Sequence, residues 1–148
     1  MSESRSYPHP SGWFELLGVI VSGMLENAGE AESHGFLQNM GDRLARLYPL
    51  NSALTVGELE IQINMMLARF GWGFIDLQPH DNALVLQHRG LPAGESMLDA
   101  NQWRHALGAV LCGLYARWLR EQGGAETVSL VCDAISDDAL LLFRYQNG

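Results

Sequence analysis

The chain has 148 residues, 47% apolar and 18% charged, with a formal charge of −8. That length fits one domain able to bury a core without disulfides or metal staples. All nine cations are arginines, scattered along an acidic chain, which excludes the clustered positive charge that nucleic acids and anionic membranes require.

Residues 1–12 contain Pro8 and Pro10 and no apolar periodicity, which predicts a flexible arm ahead of a single domain over 13–148. This polar start lacks the apolar stretch of a secretory leader, and the longest apolar run, 16–21, is too short to span a bilayer. The expectation is a protein without membrane insertion, placed in the cytoplasm, with the periplasm as the alternative.

From Trp13 to about Asn27 the pattern is helical and apolar on most sides. Such a helix must be buried on most sides. In a domain this small with so few charges, a neighbouring subunit is expected to supply part of that burial. Trp13, Phe14, Leu17, Ile20 and Val21 are the candidate oligomer contacts.

A second helix is predicted over 32–47, with Phe36, Leu37, Met40, Leu44 and Leu47 recurring at three- and four-residue spacing and Pro49 as its stop. A third opens at Thr55, where Thr55-Val56-Gly57-Glu58 matches a capping box, and ends at Gly71. Its expected core face is Val56, Leu59, Ile63, Met66, Leu67 and Phe70. The period then falls to two: Trp72–Leu77 and Ala83–Arg89, joined by a turn at 79–82, predict a β-hairpin.

The fourth helix is predicted over Ala100–Gln122, with Trp103, Leu107, Val110, Leu111, Leu114 and Trp118 on its wide face. Ala106, Ala109, Gly113 and Ala116 form a narrow stripe that permits close approach of another element. Gly123-Gly124 ends it. Val128–Cys132 and Ala139–Tyr145 predict a second hairpin around Ser136-Asp137-Asp138. The fold class is therefore α+β: four main helices and an antiparallel sheet of about four strands made of two hairpins, with the helices mainly on one face.

No catalytic constellation emerges. His9, His34, His80, His88 and His105 include no i,i+4 pair and none lies near a cysteine at zinc spacing. No metal or cofactor is expected. Cys112 and Cys132 read as small buried hydrophobes. Glu58 is a cap, Asp137 and Asp138 are turn residues, and Asp76, the one acid beside aromatics on a strand, reads as a solvated charge. There is no nucleophile elbow and no phosphate-binding loop. Trp72, Trp103 and Trp118 fall on core-like stripes. The arm residues Arg5, Ser6, Tyr7 and His9 differ, because nothing local buries them. They combine a planar aromatic with several donors, which suits a hydroxyl-rich ligand.

Several segments carry a resemblance: Gly41-Asp42-Arg43-Leu44-Ala45 followed by Pro49; Leu59-Glu60-Ile61-Gln62-Ile63-Asn64 running into Gly71-Trp72-Gly73-Phe74; Leu91-Pro92; and Val110 to Leu119 with its Gly113-Leu114-Tyr115-Ala116-Arg117-Trp118 core. Over roughly residues 36–120 their order and spacing resemble the D subunit of bacterial cellulose synthase. The resemblance implies a non-catalytic accessory protein. It implies a homo-oligomeric ring of eight subunits built from dimers, acting with other subunits of the synthase complex. It also implies β-1,4-glucan chains passing through channels at subunit interfaces, lined by N-terminal segments, so that export and crystallisation are ordered; the arm here departs from the family's, and Arg5, Ser6, Tyr7 and His9 are candidates by their own chemistry. The competing class is an acidic dimeric secretion chaperone, a binding module that holds an unfolded client along an apolar face.

Overall fold

The computed structural model of the chain describes residues 13–80, 83–90, 100–122, 128–135 and 141–147. In chain order these form α1 (Trp13–Leu47), α2 (Val56–Phe70), β1 (Phe74–His80), β2 (Ala83–Arg89), α3 (Ala100–Glu121), β3 (Val128–Ile135) and β4 (Leu141–Asn147). The strands make one antiparallel sheet in the order β1-β2-β4-β3. The fold is α+β.

Where the sequence predicts four helices, the described residues form three, because 13–27 and 32–47 are joined in α1. Ala28, Glu30 and Ala31 are good helix formers, so the helical arms extend from both sides up to a kink. The interruption survives at one residue: Gly29, at φ 84° and ψ 169°, lies outside helical space, a conformation that favours glycine. The Ser33 hydroxyl donates to the Met24 carbonyl at 3.1 Å. In a straight helix nine residues would separate these groups by about 13.5 Å of rise. The two arms of α1 therefore turn sharply at Gly29.

α2 opens as its sequence dictates. The Glu58 amide donates to Thr55 Oγ1 at 3.0 Å. The returning bond reaches one residue further back than the usual box, from the Leu54 amide to Glu58 Oε1 at 2.8 Å. At the other end Gly71 is left-handed (φ 76°), and the amides of Gly71 and Trp72 close on the carbonyls of Ala68 and Leu67, a Schellman stop.

β1 begins at Phe74 rather than Trp72. Gly71 and Gly73 both hold positive φ, and a Cβ at Gly73 would run into the carbonyls of Arg89 and Gly90. The chain thus cannot pleat until it has passed this close crossing. Pro79 and His80, expected in the turn, lie within β1, paired with Leu84 and Ala83.

The position of Pro79 follows from what covers the outer edge of β1. Asn64 of α2 grips Ile75 twice: the Ile75 amide donates to Oδ1 at 2.7 Å, and Nδ2 donates to the Ile75 carbonyl at 3.0 Å. The Leu77 amide donates to Glu60 Oε2 at 2.8 Å. Residues 75, 77 and 79 share one parity, so the missing N–H of Pro79 falls on this outer side and costs the β1–β2 ladder nothing.

One sheet face is buried. Ile75 and Leu77 of β1, Leu86 and His88 of β2, and Leu141 and Phe143 of β4 all point inward, aligned by the register Ile75↔His88↔Leu141 and Leu77↔Leu86↔Phe143. α3 lies over this face against β3 and β4, and α1 packs on α3. Trp103, Leu111, Leu114, Tyr115 and Trp118 of α3 fill the centre. At the α1–α3 crossing two glycines interlock: a Cβ on Gly41 would strike the Val110 carbonyl, and one on Gly113 the Gln38 carbonyl. Asp42 and Arg117 bridge the same crossing at 2.6 Å. β3 departs from regular pairing between Cys132 and Ala134, leaving Asp133 as the extra residue of a bulge.

Candidate assembly surface

The first arm of α1 carries apolar side chains that the other described residues leave partly exposed. Leu16, Leu17, Val19 and Ile20 are each 42–50% exposed, and Phe36 on the second arm is 50% exposed. Beneath them lies a cavity of about 270 Å³ between the two arms, α3 and Trp72. Its lining, which includes Leu17, Ile20, Met24, Phe36 and Trp103, is apolar throughout. A ridge of half-exposed aliphatic side chains over an apolar hollow is a surface suited to another apolar surface.

The predicted oligomer contacts divide. Leu17 and Ile20 lie on this face. Val21 does not: at 3% exposure it belongs to the chain's own core, because the bend at Gly29 folds the second arm against its side of the helix. Trp13 and Phe14 start α1, and their side chains lie outside the described residues. So do Arg5, Ser6, Tyr7 and His9, the candidate ligand contacts. Leu47, on the apolar repeat of its helix, and Val56, expected in the core, are exposed. They sit at the last and first turns of their helices, beyond the reach of the sheet and α3.

Of the acids singled out in sequence, Asp137 and Asp138 lie outside the described residues, and the others have structural partners. Glu58 is the cap described above. Asp76 lies 3.8 Å from Arg89, both about half exposed, a pairing that water screens strongly. Asp42 is held by Arg117 and by Arg46, the latter at 3.0 Å. Burial alone would raise its carboxyl. The Arg117 hydrogen bond and charge, with Arg46 and Arg120 adding, bring it below the ordinary value. Among the described residues no three His, Cys, Asp or Glu side chains come together as metal ligands would. Cys112 is half-buried, with Sγ 3.8 Å from the Leu130 carbonyl. The Cys132 side chain lies outside the described residues.

One polar cluster was missed by sequence reasoning. His88 is fully buried, with Nε2 2.7 Å from the Trp72 carbonyl and Nδ1 2.5 Å from the Tyr115 hydroxyl. A carbonyl only accepts, so Nε2 carries the proton and Nδ1 accepts from Tyr115. Burial lowers the His88 pKa to about 4, against the opposing effect of the Trp72 carbonyl, and pushes the Tyr115 phenol well up. The signal was present in the alternation, which puts His88 on the same face as Leu86. The cluster ties β2, α3 and the Gly71-Trp72-Gly73 crossing together. The tryptophans serve the same purpose: Trp118 is buried with Nε1 donating to the Tyr48 carbonyl at 3.0 Å, and Trp103 is buried too.

These features define an α+β protein with apolar helix faces that its own described residues leave uncovered. Residues 4–146 match the family model for the D subunit of cellulose synthase, and the chain belongs to that family. It is 32% identical over 103 residues to cellulose synthase operon protein D of Komagataeibacter xylinus, and equally to that of Komagataeibacter sucrofermentans, covering 68% of this chain and 64% of each relative. A further Komagataeibacter xylinus protein of the same name is 39% identical over 74 residues, 48% of this chain and 46% of that one. The aligned region thus spans 64% of the length of the first two relatives.

Proposed function

We propose that this chain is a non-catalytic accessory subunit of bacterial cellulose biosynthesis. Copies of it assemble into a closed ring, an octamer by family expectation, that organises β-1,4-glucan chains and synthase complexes for export and crystallisation. Family membership supports the link to cellulose. The observation that supports self-assembly is the half-exposed face of Leu16, Leu17, Val19, Ile20 and Phe36 over its apolar hollow. Arg5, Ser6, Tyr7 and His9 are the glucan contacts in this reading. A polymer that must slide is held best by many weak contacts, and a ring repeats each contact by symmetry.

The test is light scattering on the full chain, whose monomer mass is 16.4 kDa, at micromolar concentration. The expected result is a discrete species several times that mass, reduced by Ile20→Asp with the helical circular dichroism unchanged. A sharp wild-type monomer sinks the reading. A stable dimer that binds unfolded clients and never closes a ring points instead to the chaperone class.

A further inference from the structure

α2 carries a second apolar face that the sheet does not use. Leu59, Ile63 and Leu67 point inward, and Glu60 and Asn64 reach β1. On the far side Ile61 and Met65 are 61% and 69% exposed, and Leu54, just ahead of the helix, is 89% exposed. Gly57 and Ala68, both exposed, complete the stripe. The spacing 57, 61, 65, 68 keeps these four on one side of the helix, while Leu54 precedes the extended N-cap Thr55.

No contact among the described residues requires a glycine at 57. A Cβ there would meet only Thr55 Oγ1, at 3.9 Å, an ordinary contact, and its backbone is not left-handed. Glycine within a helix costs about 1 kcal/mol relative to alanine. A close approach from outside the chain would require it.

We propose that α2 packs antiparallel against α2 of a second copy, across a two-fold axis at Ile61. Positions equally distant from 61 then face each other: Gly57 meets the partner's Met65, and Ile61 meets itself. Met65 finds the space left at Gly57, and Ile61 packs on its own copy at the axis, so the stripe is complementary to itself, as an isologous contact demands. The exposed Leu, Ile and Met surface is on the order of 400 Å², close to the apolar half of the roughly 800 Å² that one partner gives a standard interface. This contact rests on the self-assembly reading above for its place in a larger ring. It deepens that reading by adding a second joint on a different helix, and two distinct joints carry assembly past a dimer.

Sedimentation velocity on the full chain tests the size match. Gly57→Met alone sets methionine against Met65 and is expected to weaken this association at least tenfold. Gly57→Met with Met65→Ala reverses the sizes and restores it, an outcome that a folding defect cannot produce. Failure of the double variant to recover overturns the proposal. Oxidising Ile61→Cys is expected to give a covalent dimer, whereas Arg69→Cys, whose two copies lie about 24 Å apart along the paired helices, does not. Equal crosslinking of the two also overturns it. If Ile20→Asp dissolves the assembly and the α2 variants leave it intact, this contact falls and the α1 face stands. The opposite pattern keeps the α2 contact and removes the α1 face.

Discussion

His88 occupies a strand position where alternation would place a leucine, and the fold accepts it only because both ring nitrogens are bonded. Its folded pKa of about 4 lies below its ordinary value of 6.5. Between those values the unfolded chain binds a proton that the folded chain refuses, so stability rises with pH across this window. The contribution is complete above pH 6.5 and is lost as pH falls toward 4, by roughly 3 kcal/mol for a shift of this size. Urea unfolding between pH 7 and pH 4 should show this slope. In His88→Leu the slope should flatten, while the baseline drops because the Tyr115 hydroxyl and the Trp72 carbonyl lose their partner. A slope that persists in the variant would place its origin in the carboxylates instead.

At the scale of elements, the α1–α3 crossing depends on having no side chain at two points. Gly113→Leu forces a branched side chain into the backbone of Gln38 and Asp42, and Gly41→Ala meets Val110 and Leu114 in the same way. Both are expected to lower stability, Gly41→Ala by about 1–3 kcal/mol and Gly113→Leu by more, read as a fall in thermal midpoint. An unchanged midpoint would show that the helices can separate without cost. The small-residue stripe on α3 made half of this crossing legible in the sequence. Gly41 reads in the sequence as part of a motif and not as a packing position, since a lone glycine in a helical pattern gives no partner. Thr55, Gly71 and the hairpin alternation were equally legible because each is a local rule. The break around Gly29 was legible as the gap between two predicted helices, but its angle was not, since only tertiary contact decides it. Nor was the outer face of α2, because Ile61 and Met65 continue an apolar pattern that does not say which side is covered.

For the whole molecule, the candidate site was legible in part. Periodicity located the first arm of α1 as over-supplied with apolar surface, yet it assigned Val21 to the interface when the bend buries it. The assembly reading predicts a separation of tasks. Deleting residues 2–10 removes none of the described core, so thermal midpoint and assembly mass should stay at wild-type values. In cells producing cellulose, the same deletion should reduce the crystalline order of the fibre, measured by X-ray diffraction. Loss of assembly on deletion would make the arm a structural element instead of a glucan contact.

The outer edge of β1 has a consequence for how such copies can join. Asn64 supplies both a donor and an acceptor to Ile75, Glu60 takes the Leu77 amide, and Pro79 offers no amide at all. From 75 to 79, each residue on that side is either occupied or has no N–H to offer. An extended strand arriving from a neighbour finds no main-chain ladder there to continue. The proposed ring would hold its subunits at local concentrations that otherwise favour fusion of sheets. At this end of the molecule, copies must recognise one another by side-chain shape, and a joint of that kind can still come apart.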